Sequence, residues 1–217
     1  PGTGKTTVVR GLLGLYDRAG WRGILAAPTG RAAKRMTELS GREAYTIHRL
    51  LGAAFAEDGE SVVFRKDEKD PLNCDAVILD ECSMVDILLM QALLRAMRPD
   101  CALILVGDAD QLPAVGPGNV FSDIIRSGVV ETVRLTEIFR QLRTSRILSN
   151  AHSINRGEHP NLTENKGDFF FLRRRDYGAI PGTVAQLCQE RLPKNMGIPV
   201  QDIQVISPTR LYEAGAR

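Results

Sequence analysis

A candidate phosphate-binding loop stands at the start of the chain, which begins Pro-Gly-Thr-Gly-Lys-Thr. These are the last six positions of the pattern G-x-x-x-x-G-K-[ST], in which backbone N–H groups curl around phosphate oxygens. Lys5 would supply a positive charge to the β- and γ-phosphates of ATP, and the Thr6 hydroxyl would ligate Mg²⁺. This short motif can arise by chance, but the apolar helix predicted after it is the structural context that the motif requires. The candidate nucleotide-binding residues are Gly2, Thr3, Gly4, Lys5, Thr6 and Thr7.

The first glycine of this pattern and the strand that normally leads into the loop would both precede Pro1. We therefore expect the chain to be a piece of a longer protein, one that alone binds ATP weakly and hydrolyses it slowly or not at all. The absent strand is expected to leave ladder groups exposed on its neighbours in the sheet, or to let another segment fill the gap.

A pair of acids follows the apolar run Ala-Val-Ile-Leu, at the point where a buried strand is expected to end. Asp80 there can hold the shell of a Mg²⁺ ion, and Glu81 can accept a proton from an attacking water. An acidic pair at a strand end can also be merely solvated. Its position after a buried strand, 75 residues beyond Lys5, favours the catalytic role.

A third apolar run, at 101–106, is followed by Gly-Asp-Ala-Asp-Gln. Polar residues at the carboxyl ends of parallel strands converge on a ligand crevice, where the Gln111 amide can sense a γ-phosphate and orient a water. The alternative is an acidic turn that caps a helix. Asp108 and Asp110 can serve such a turn even if Gln111 is catalytic.

The elements that must position these residues alternate along the chain. Unbroken apolar strands between helices predict an α/β fold, namely a RecA-like parallel sheet with helices on both faces, followed by the beginning of a second such unit. We place a first domain at 1–137, with a small β-hairpin inserted at about 55–73, and a partial second domain at 138–217. The helices are predicted at 6–18, 31–39, 86–97, 119–127, 145–155 and 182–192, and the strands at 23–27, 75–80, 101–106, 130–135, 168–173 and 202–207.

Composition limits the classes of protein to which the chain can belong. Its 217 residues are 43% hydrophobic and 25% charged, as in a globular protein with a core. Two basic segments, with net charge +6 over 1–50 and +5 over 138–217, flank an acidic segment of net charge −9. This pattern fits either a surface that binds a polyanion beside a metal–phosphate centre or an ordinary mixed surface. The four cysteines are scattered and show no CxxC spacing, which argues against a zinc site or a disulfide scaffold. Their pattern predicts a reducing, cytoplasmic location. The sequence has neither a leader peptide at its start nor an apolar run of membrane-spanning length, so we expect no membrane association.

Taken together, the motifs resemble those of superfamily I DNA helicases, and more narrowly the RecD/TraA-type branch that includes the exodeoxyribonuclease V alpha chain. The resemblance covers nearly the whole chain. Cys82 departs from it, because alanine is more usual after the Asp-Glu pair, and the later family motifs are absent. The matching stretches are PGTGKTT, APTGRAAKRM (27–36), TIHRLL (46–51), VILDECSMVD (77–86), LILVGDADQLPAVGPG (103–118) and LTEIFRQ (135–141).

The resemblance implies two RecA-like lobes with ATP and Mg²⁺ between them, and hydrolysis that drives movement along single-stranded DNA. Its partners would be single-stranded DNA or a duplex/single-strand junction, and other subunits of a recombination and repair nuclease. Among catalytic residues it implies Glu81, Gln111 and Arg140, the last reaching the γ-phosphate from the second lobe. Without the resemblance, a salt-bridged helix arginine would be the simpler account of Arg140.

A DNA-binding side is expected where the segment Pro-Thr-Gly-Arg ends a strand and opens a helix, because N–H groups, a hydroxyl and a guanidinium grip phosphates there. His48 could instead be a buried, hydrogen-bonded histidine. The hairpin resembles the small pin of this branch, whose Phe64 or Arg65 would meet a duplex junction, but it could also be a plain exposed hairpin. The candidate DNA-binding residues are Pro28, Thr29, Gly30, Arg31, Lys34, Thr46, His48, Phe64 and Arg65.

Two other functions compete with the helicase. A different P-loop enzyme, such as a small-molecule kinase, would need an arginine-rich lid and no sensor of the Gln111 type. A non-catalytic DNA-binding module would be expected to lose Glu81 or Arg140, and both are present.

Overall fold

Four parallel strands form the central sheet. In the computed structural model, which describes residues 3–55, 62–135, 144–164 and 167–208, adjacent strands pair in parallel throughout this sheet. Its edges within the described residues are the second and sixth strands. In spatial order the strands are β2 (Ala44–Thr46), β1 (Gly23–Ala27), β5 (Ala76–Leu79) and β6 (Ala102–Leu105). The predicted α/β fold with a parallel sheet is confirmed.

Three of the longer helices begin at polar residues whose side chains cap them. The Thr29, Asp86 and Ser145 side chains each accept a hydrogen bond from the backbone N–H three residues later, which satisfies one of the open N–H groups of a helix start. No helix in the described ranges is long and apolar enough to cross a membrane. The helices are α1 (Lys5–Ala19), α2 (Gly30–Ser40), α3 (Ile47–Leu50), α4 (Ile87–Arg95), α5 (Val120–Ser127) and α6 (Arg146–Asn155), with a 3₁₀ turn at Cys82–Met84.

The core lies on both faces of the sheet. Alternate residues of β5 point to opposite faces, so Val77 and Leu79 pack with residues of α3 and α4, whereas Ile78 packs with residues of α1 and α2. All four residues of β5 are buried. A strand buried on both sides is uniformly apolar, which is why this run was readable from the sequence.

A short antiparallel pair stands apart from the sheet. Strand β3 (Ala53–Phe55) pairs with β4 (Val62–Phe64), with Ala53 opposite Phe64. This pair overlaps the hairpin expected at about 55–73 but begins two residues earlier, and residues 56–61 lie outside the described ranges. Beyond β4 the chain returns to the core beside α4, where the Leu72 N–H donates to the Ala96 carbonyl at 2.7 Å.

The described residues fall into two compact units, one ending at Glu158 and one beginning at His159. In the second unit, Phe171 and Leu172 line a cavity of about 310 Å³ together with apolar residues of its first helix. The elements of this unit are α7 (Ala179–Gln186), a π-helical turn (Leu187–Arg191), α8 (Leu192–Met196) and a 3₁₀ turn (Val200–Asp202). The boundary near 137 lies among residues outside the described ranges, so the two-domain division stays a prediction.

Three predicted strands are wrong, and one was missed. Residues 130–135, 168–173 and 202–207 are not strands, although each run is apolar enough to suggest one. An apolar run becomes a strand only when a neighbour's backbone completes its hydrogen bonds, and in the described ranges these three runs pair with no strand. The missed strand, β2, has only three residues and forms because β1 is its neighbour.

Candidate nucleotide and nucleic-acid site

The candidate phosphate loop leads directly into α1. Gly4 is the residue before the helix and has φ of 87°, a left-handed conformation that side chains with a Cβ rarely adopt. No side chain of the described residues caps the helix, which leaves its first N–H groups for an anion to satisfy. Thr3, Lys5 and Thr6 are half-buried around this turn, and Thr7 is exposed. Gly2 lies outside the described residues.

The lysine of this loop contacts the strand that carries the third motif. Lys5 Nζ lies 4.0 Å from Asp108 Oδ2, and both side chains are partly buried. Asp108 follows β6, so the contact brings the start of α1 to the carboxyl edge of the sheet. Sequence reasoning treated Asp108 only as a possible turn residue. The available signal was an acid two residues after the apolar run at 101–106, directly beside Gly107.

The acidic pair stands at the same edge, immediately after β5. The Asp80 N–H donates to the Ala26 carbonyl at 3.0 Å, and Asp80 Oδ1 accepts the Glu81 N–H at 2.8 Å. Within the described part of the chain, Glu81 is the single non-glycine residue with a positive φ, and that angle is 54°. A left-handed residue of this kind costs free energy, and such residues concentrate at functional sites.

Cys82 connects the second motif to the third. Its N–H donates to the Val106 carbonyl at 3.0 Å, and its thiol donates to the Leu79 carbonyl at 3.0 Å. The side chain is fully buried, and this burial raises the pKa of the thiol far above its usual range, so Cys82 remains protonated. The thiol fits where the family more often has alanine, as a small buried side chain does.

Gly107 makes the close approach between the two motifs possible. A Cβ at this position would lie 2.9 Å from Phe121 Cε1 and 3.2 Å from the Cys82 nitrogen. The absence of a side chain at 107 therefore allows the third motif to pass under the second and against α5. Neither Gly107 nor Phe121 was singled out from the sequence, because the contact joins residues far apart in the chain.

Gln111 lies on a turn organised by Asp108. The Gln111 N–H donates to the Asp108 carbonyl at 3.1 Å, and Asp108 Oδ1 accepts the Asp110 N–H at 3.2 Å. The Gln111 side chain is exposed. Asp108 therefore supports a turn and also contacts Lys5, whereas the role of Gln111 stays a prediction. Arg140 lies outside the described residues.

The first group of candidate DNA-binding residues surrounds the start of α2. Pro28 and Thr29 follow β1, so they lie at the same sheet edge as the acidic pair, and Thr29 Oγ1 accepts the Ala32 N–H at 3.3 Å. Gly30, Arg31 and Lys34 are exposed. Lys34 Nζ lies 4.0 Å from Glu38 Oε1 on the solvent side of the helix, with 79% of its side chain exposed.

The second group lies after β2 and on the hairpin. Thr46 caps α3, with its hydroxyl accepting the Arg49 N–H at 3.1 Å. His48 is exposed, and its ring centroid lies 5.9 Å from that of Phe64, so the alternative of a buried histidine is wrong. The Arg65 side chain is also exposed and lies over Gly52. The structure thus brings His48, Phe64 and Arg65 together beside the end of β2.

A separate groove of about 750 Å³ lies between α4 and α5. Its walls are mainly apolar side chains, and none of the candidate site residues lines it. The groove is therefore not part of the site, and its apolar lining includes Ile87, Met90, Leu94, Val120 and Ile124.

A phosphate loop opening a helix beside acids at the carboxyl ends of parallel strands defines a P-loop nucleotide-binding α/β domain. Residues 1–117 match the family described as AAA domain, and the chain belongs to that family.

Named relatives narrow the comparison. The chain is 39% identical over 175 residues to the ATP-dependent RecD2 DNA helicase of Deinococcus radiodurans, which covers 77% of this chain and 23% of that protein. It is 41% identical over 168 residues to the RecBCD enzyme subunit RecD of Mycobacterium tuberculosis, and this match covers 67% of this chain and 28% of that protein. The RecD-type resemblance is confirmed, and the chain spans about a quarter of these relatives. A crystal structure of Bacteroides Pif1 bound to ssDNA shares the fold, with a TM-score of 0.51 at 23% identity over 90% of this chain and 52% of that one.

Proposed function

We propose that the protein is the ATP-driven motor part of a DNA helicase of the RecD type, which couples ATP hydrolysis to movement along single-stranded DNA. The observation that carries the proposal is the 4.0 Å contact between Lys5 and Asp108, at the sheet edge where Asp80 and Glu81 also stand. A lysine of a phosphate loop beside strand-end acids is the arrangement that nucleotide hydrolysis needs. The Deinococcus radiodurans relative is named an ATP-dependent DNA helicase, which supports the same activity.

In this proposal the start of α1 binds the phosphates of ATP. The open N–H groups after Gly4 and the positive end of the helix attract the β- and γ-phosphates, and Lys5 adds a point charge. The Thr6 hydroxyl and the Asp80 carboxylate would hold Mg²⁺, since hard oxygen ligands are those this ion prefers. The bound ion would neutralise charge on the phosphates.

The acidic pair divides the remaining work of hydrolysis. Asp80 Oδ1 accepts the Glu81 N–H, which stabilises the turn that carries both acids. Glu81 acts as the base that accepts a proton from the attacking water. Gln111 senses the γ-phosphate, and Arg140 stabilises the charge that spreads in the transition state.

Single-stranded DNA would run along the ends of β1 and β2. Arg31 and Lys34 at the start of α2 contact its phosphates, together with Thr29 and the N–H groups of the helix start. Thr46 and His48 extend this path past β2. Such contacts bind the backbone without reading the base sequence.

The hairpin is proposed to meet the junction between duplex and single strand. Phe64 packs partly against the core, and its ring lies tilted against that of His48, which holds the hairpin at the end of the proposed DNA path. Phe55 is 76% exposed at the outer end of the pair, where an apolar side chain can wedge against a terminal base pair. Arg65, which follows Phe64 at the other end of the pair and lies over Gly52, would contact a phosphate.

Partners and location belong to the same proposal. One relative is named as a subunit of the RecBCD enzyme, so other subunits of a recombination nuclease are proposed as protein partners. A cytoplasmic location fits a DNA substrate and the four free thiols.

The test is an ATPase assay on the purified full-length protein with and without single-stranded DNA. We expect DNA to stimulate turnover, and Lys5→Ala to abolish it. Lys194→Ala, which removes one exposed positive charge from α8, serves as the matched control and retains turnover. Phosphate transfer to a small molecule without DNA stimulation would instead indicate a kinase, and DNA binding with no turnover would indicate a binding module.

A further inference from the structure

Two cysteine thiols face each other at the amino-terminal edge of the sheet, opposite the candidate nucleotide site. Cys74 lies two residues before β5, and Cys101 directly precedes β6. Their Sγ atoms are 3.6 Å apart. The Ala102 N–H donates to the Asp75 carbonyl at 2.9 Å, so the backbones that carry the two thiols are held side by side by the sheet.

The two thiols differ in access to solvent. Cys74 is fully buried in the core, whereas Cys101 is partly exposed. Burial raises the pKa of Cys74 to about 12, and the contact with Cys101 adds to the rise. The charged groups nearby are Arg98, which donates to the Cys74 carbonyl at 3.2 Å, and the Asp75 and Asp100 carboxylates paired with it. Cys101 is therefore the thiol that an oxidant reaches first.

We propose that Cys74 and Cys101 form an intramolecular disulfide when the protein meets a peroxide, which makes this pair an oxidation site. The sulfurs need to approach by about 1.5 Å to reach disulfide bonding distance. Side-chain rotation at the strand ends can supply most of that movement, because each thiol is attached to backbone that the sheet already holds in place. The separation of 27 positions along the chain means that the bridge would join the two strands that carry the second and third motifs.

The chemistry balances with hydrogen peroxide as the oxidant. The Cys101 thiolate attacks one peroxide oxygen, the O–O bond breaks, and Cys101 becomes a sulfenic acid while the other oxygen leaves as water. The Cys74 sulfur then attacks the sulfenic sulfur, an S–S bond forms, and the hydroxyl leaves as water with the Cys74 proton. Two thiols are oxidised by two electrons, and one peroxide is reduced to two waters.

The other two cysteines provide internal controls. The Cys82 thiol donates to the Leu79 carbonyl and is fully buried, so peroxide does not reach it. Cys188 lies in the second unit, on the π-helical turn. Neither is expected to bridge to Cys74 or Cys101.

The test is peroxide treatment followed by denaturation, alkylation of the remaining thiols, and mass spectrometry of the peptides. We expect a linked Cys74–Cys101 peptide, with Cys82 and Cys188 alkylated. In the Cys74→Ser variant the reaction should stop at the sulfenic acid of Cys101, which dimedone traps. In the Cys101→Ser variant Cys74 should remain reduced and be alkylated. Alkylation of both Cys74 and Cys101 in the treated wild-type protein, or oxidation of Cys101 to the sulfinic acid without a link, would overturn the proposal.

A thermal measurement keeps the proposal testable if a serine variant does not fold. The bridge would restrict the unfolded chain, so the oxidised wild-type protein should melt roughly 5–10 °C above the reduced protein. Dithiothreitol should reverse the shift. Equal melting temperatures for the two forms would contradict a bridge between the paired strands.

Discussion

Lys5 Nζ lies 4.0 Å from Asp108 Oδ2, so the lysine of the phosphate loop is paired with an acid of the third motif. The Lys5 side chain is 25% exposed and that of Asp108 is 15% exposed, and partial burial strengthens such a contact relative to a surface pair. In the proposed function, a γ-phosphate drawn to Lys5 would compete with this carboxylate or displace it. Asp108 would then tune how strongly ATP is held.

Replacing Asp108 with asparagine should tighten ATP binding. Asparagine keeps an oxygen for the Asp110 N–H, which preserves the turn, but it removes the negative charge beside Lys5. We expect the Kd for ATP to fall by roughly 2–5-fold, the size expected for one partly screened ion pair. Calorimetry or a fluorescent ATP analogue measures the change.

The background Lys5→Ala supplies the control for this variant. Without the lysine, Asp108→Asn should leave ATP affinity unchanged, because the pair no longer exists. An equal gain in affinity in both backgrounds would show that Asp108 acts on ATP through general charge and not through Lys5.

Replacing Glu81 with glutamine should separate ATP binding from hydrolysis. The amide keeps the shape of the side chain but cannot take the proton, so turnover should fall by about 10²–10⁴-fold while ATP binding persists. Single-turnover hydrolysis measures the loss. Unchanged turnover would assign the base to another residue.

The backbone at Glu81 predicts a difference between two other variants. Its φ of 54° is left-handed, which glycine adopts freely and alanine does not. Glu81→Gly should therefore be more stable than Glu81→Ala by about 1 kcal/mol in urea unfolding. A more stable alanine variant would mean that the turn relaxes when the carboxylate is removed.

Gly107→Ala should destabilise the contact between the second and third motifs. The added Cβ would lie 2.9 Å from Phe121 and 3.2 Å from the Cys82 nitrogen, and overpacking of this kind costs about 1–3 kcal/mol. Gly14→Ala is the matched control, because a Cβ there meets nothing within 4 Å on an exposed helix. That control should gain about 0.5–1 kcal/mol of stability. Equal effects of the two variants in denaturant unfolding would contradict the close approach.

Arg31→Ala and Lys34→Ala should each weaken binding of single-stranded DNA irrespective of its sequence. Each removes one phosphate contact in the proposed path, so the slope of affinity against salt should flatten by roughly one contact. Titration at several salt concentrations with two unrelated oligonucleotides measures both effects. A loss restricted to one oligonucleotide would indicate base recognition.

The sheet could be predicted because β5 and β1 are buried on both faces, which leaves an apolar signature in sequence. The runs near 130, 170 and 205 are also rich in apolar residues, but they pair with no neighbouring strand among the described residues. Neighbours are contributed by distant parts of the chain, so a local pattern cannot supply them. For the same reason the three-residue β2 was missed.

The site divided in the same way. The placement of Lys5, Asp80 and Glu81 at one edge of the sheet was predictable, because motif spacing and strand ends locate them. The pairing of Lys5 with Asp108 and the packing of Gly107 against Phe121 were not, since both depend on how two separate elements meet. The left-handed conformation of Glu81 could not be predicted from the sequence either, because glutamate rarely adopts a positive φ.

Strand β6 has consequences for the behaviour of the protein in solution. It forms one edge of the described sheet and consists of Ala-Leu-Ile-Leu, without a charge, a proline or a bulge to discourage another strand from pairing with it. Native edges usually carry such protection, and an unprotected one is a template for self-association. Preparations of the 217-residue chain should therefore form oligomers as concentration rises, and a lysine introduced on this strand should suppress them.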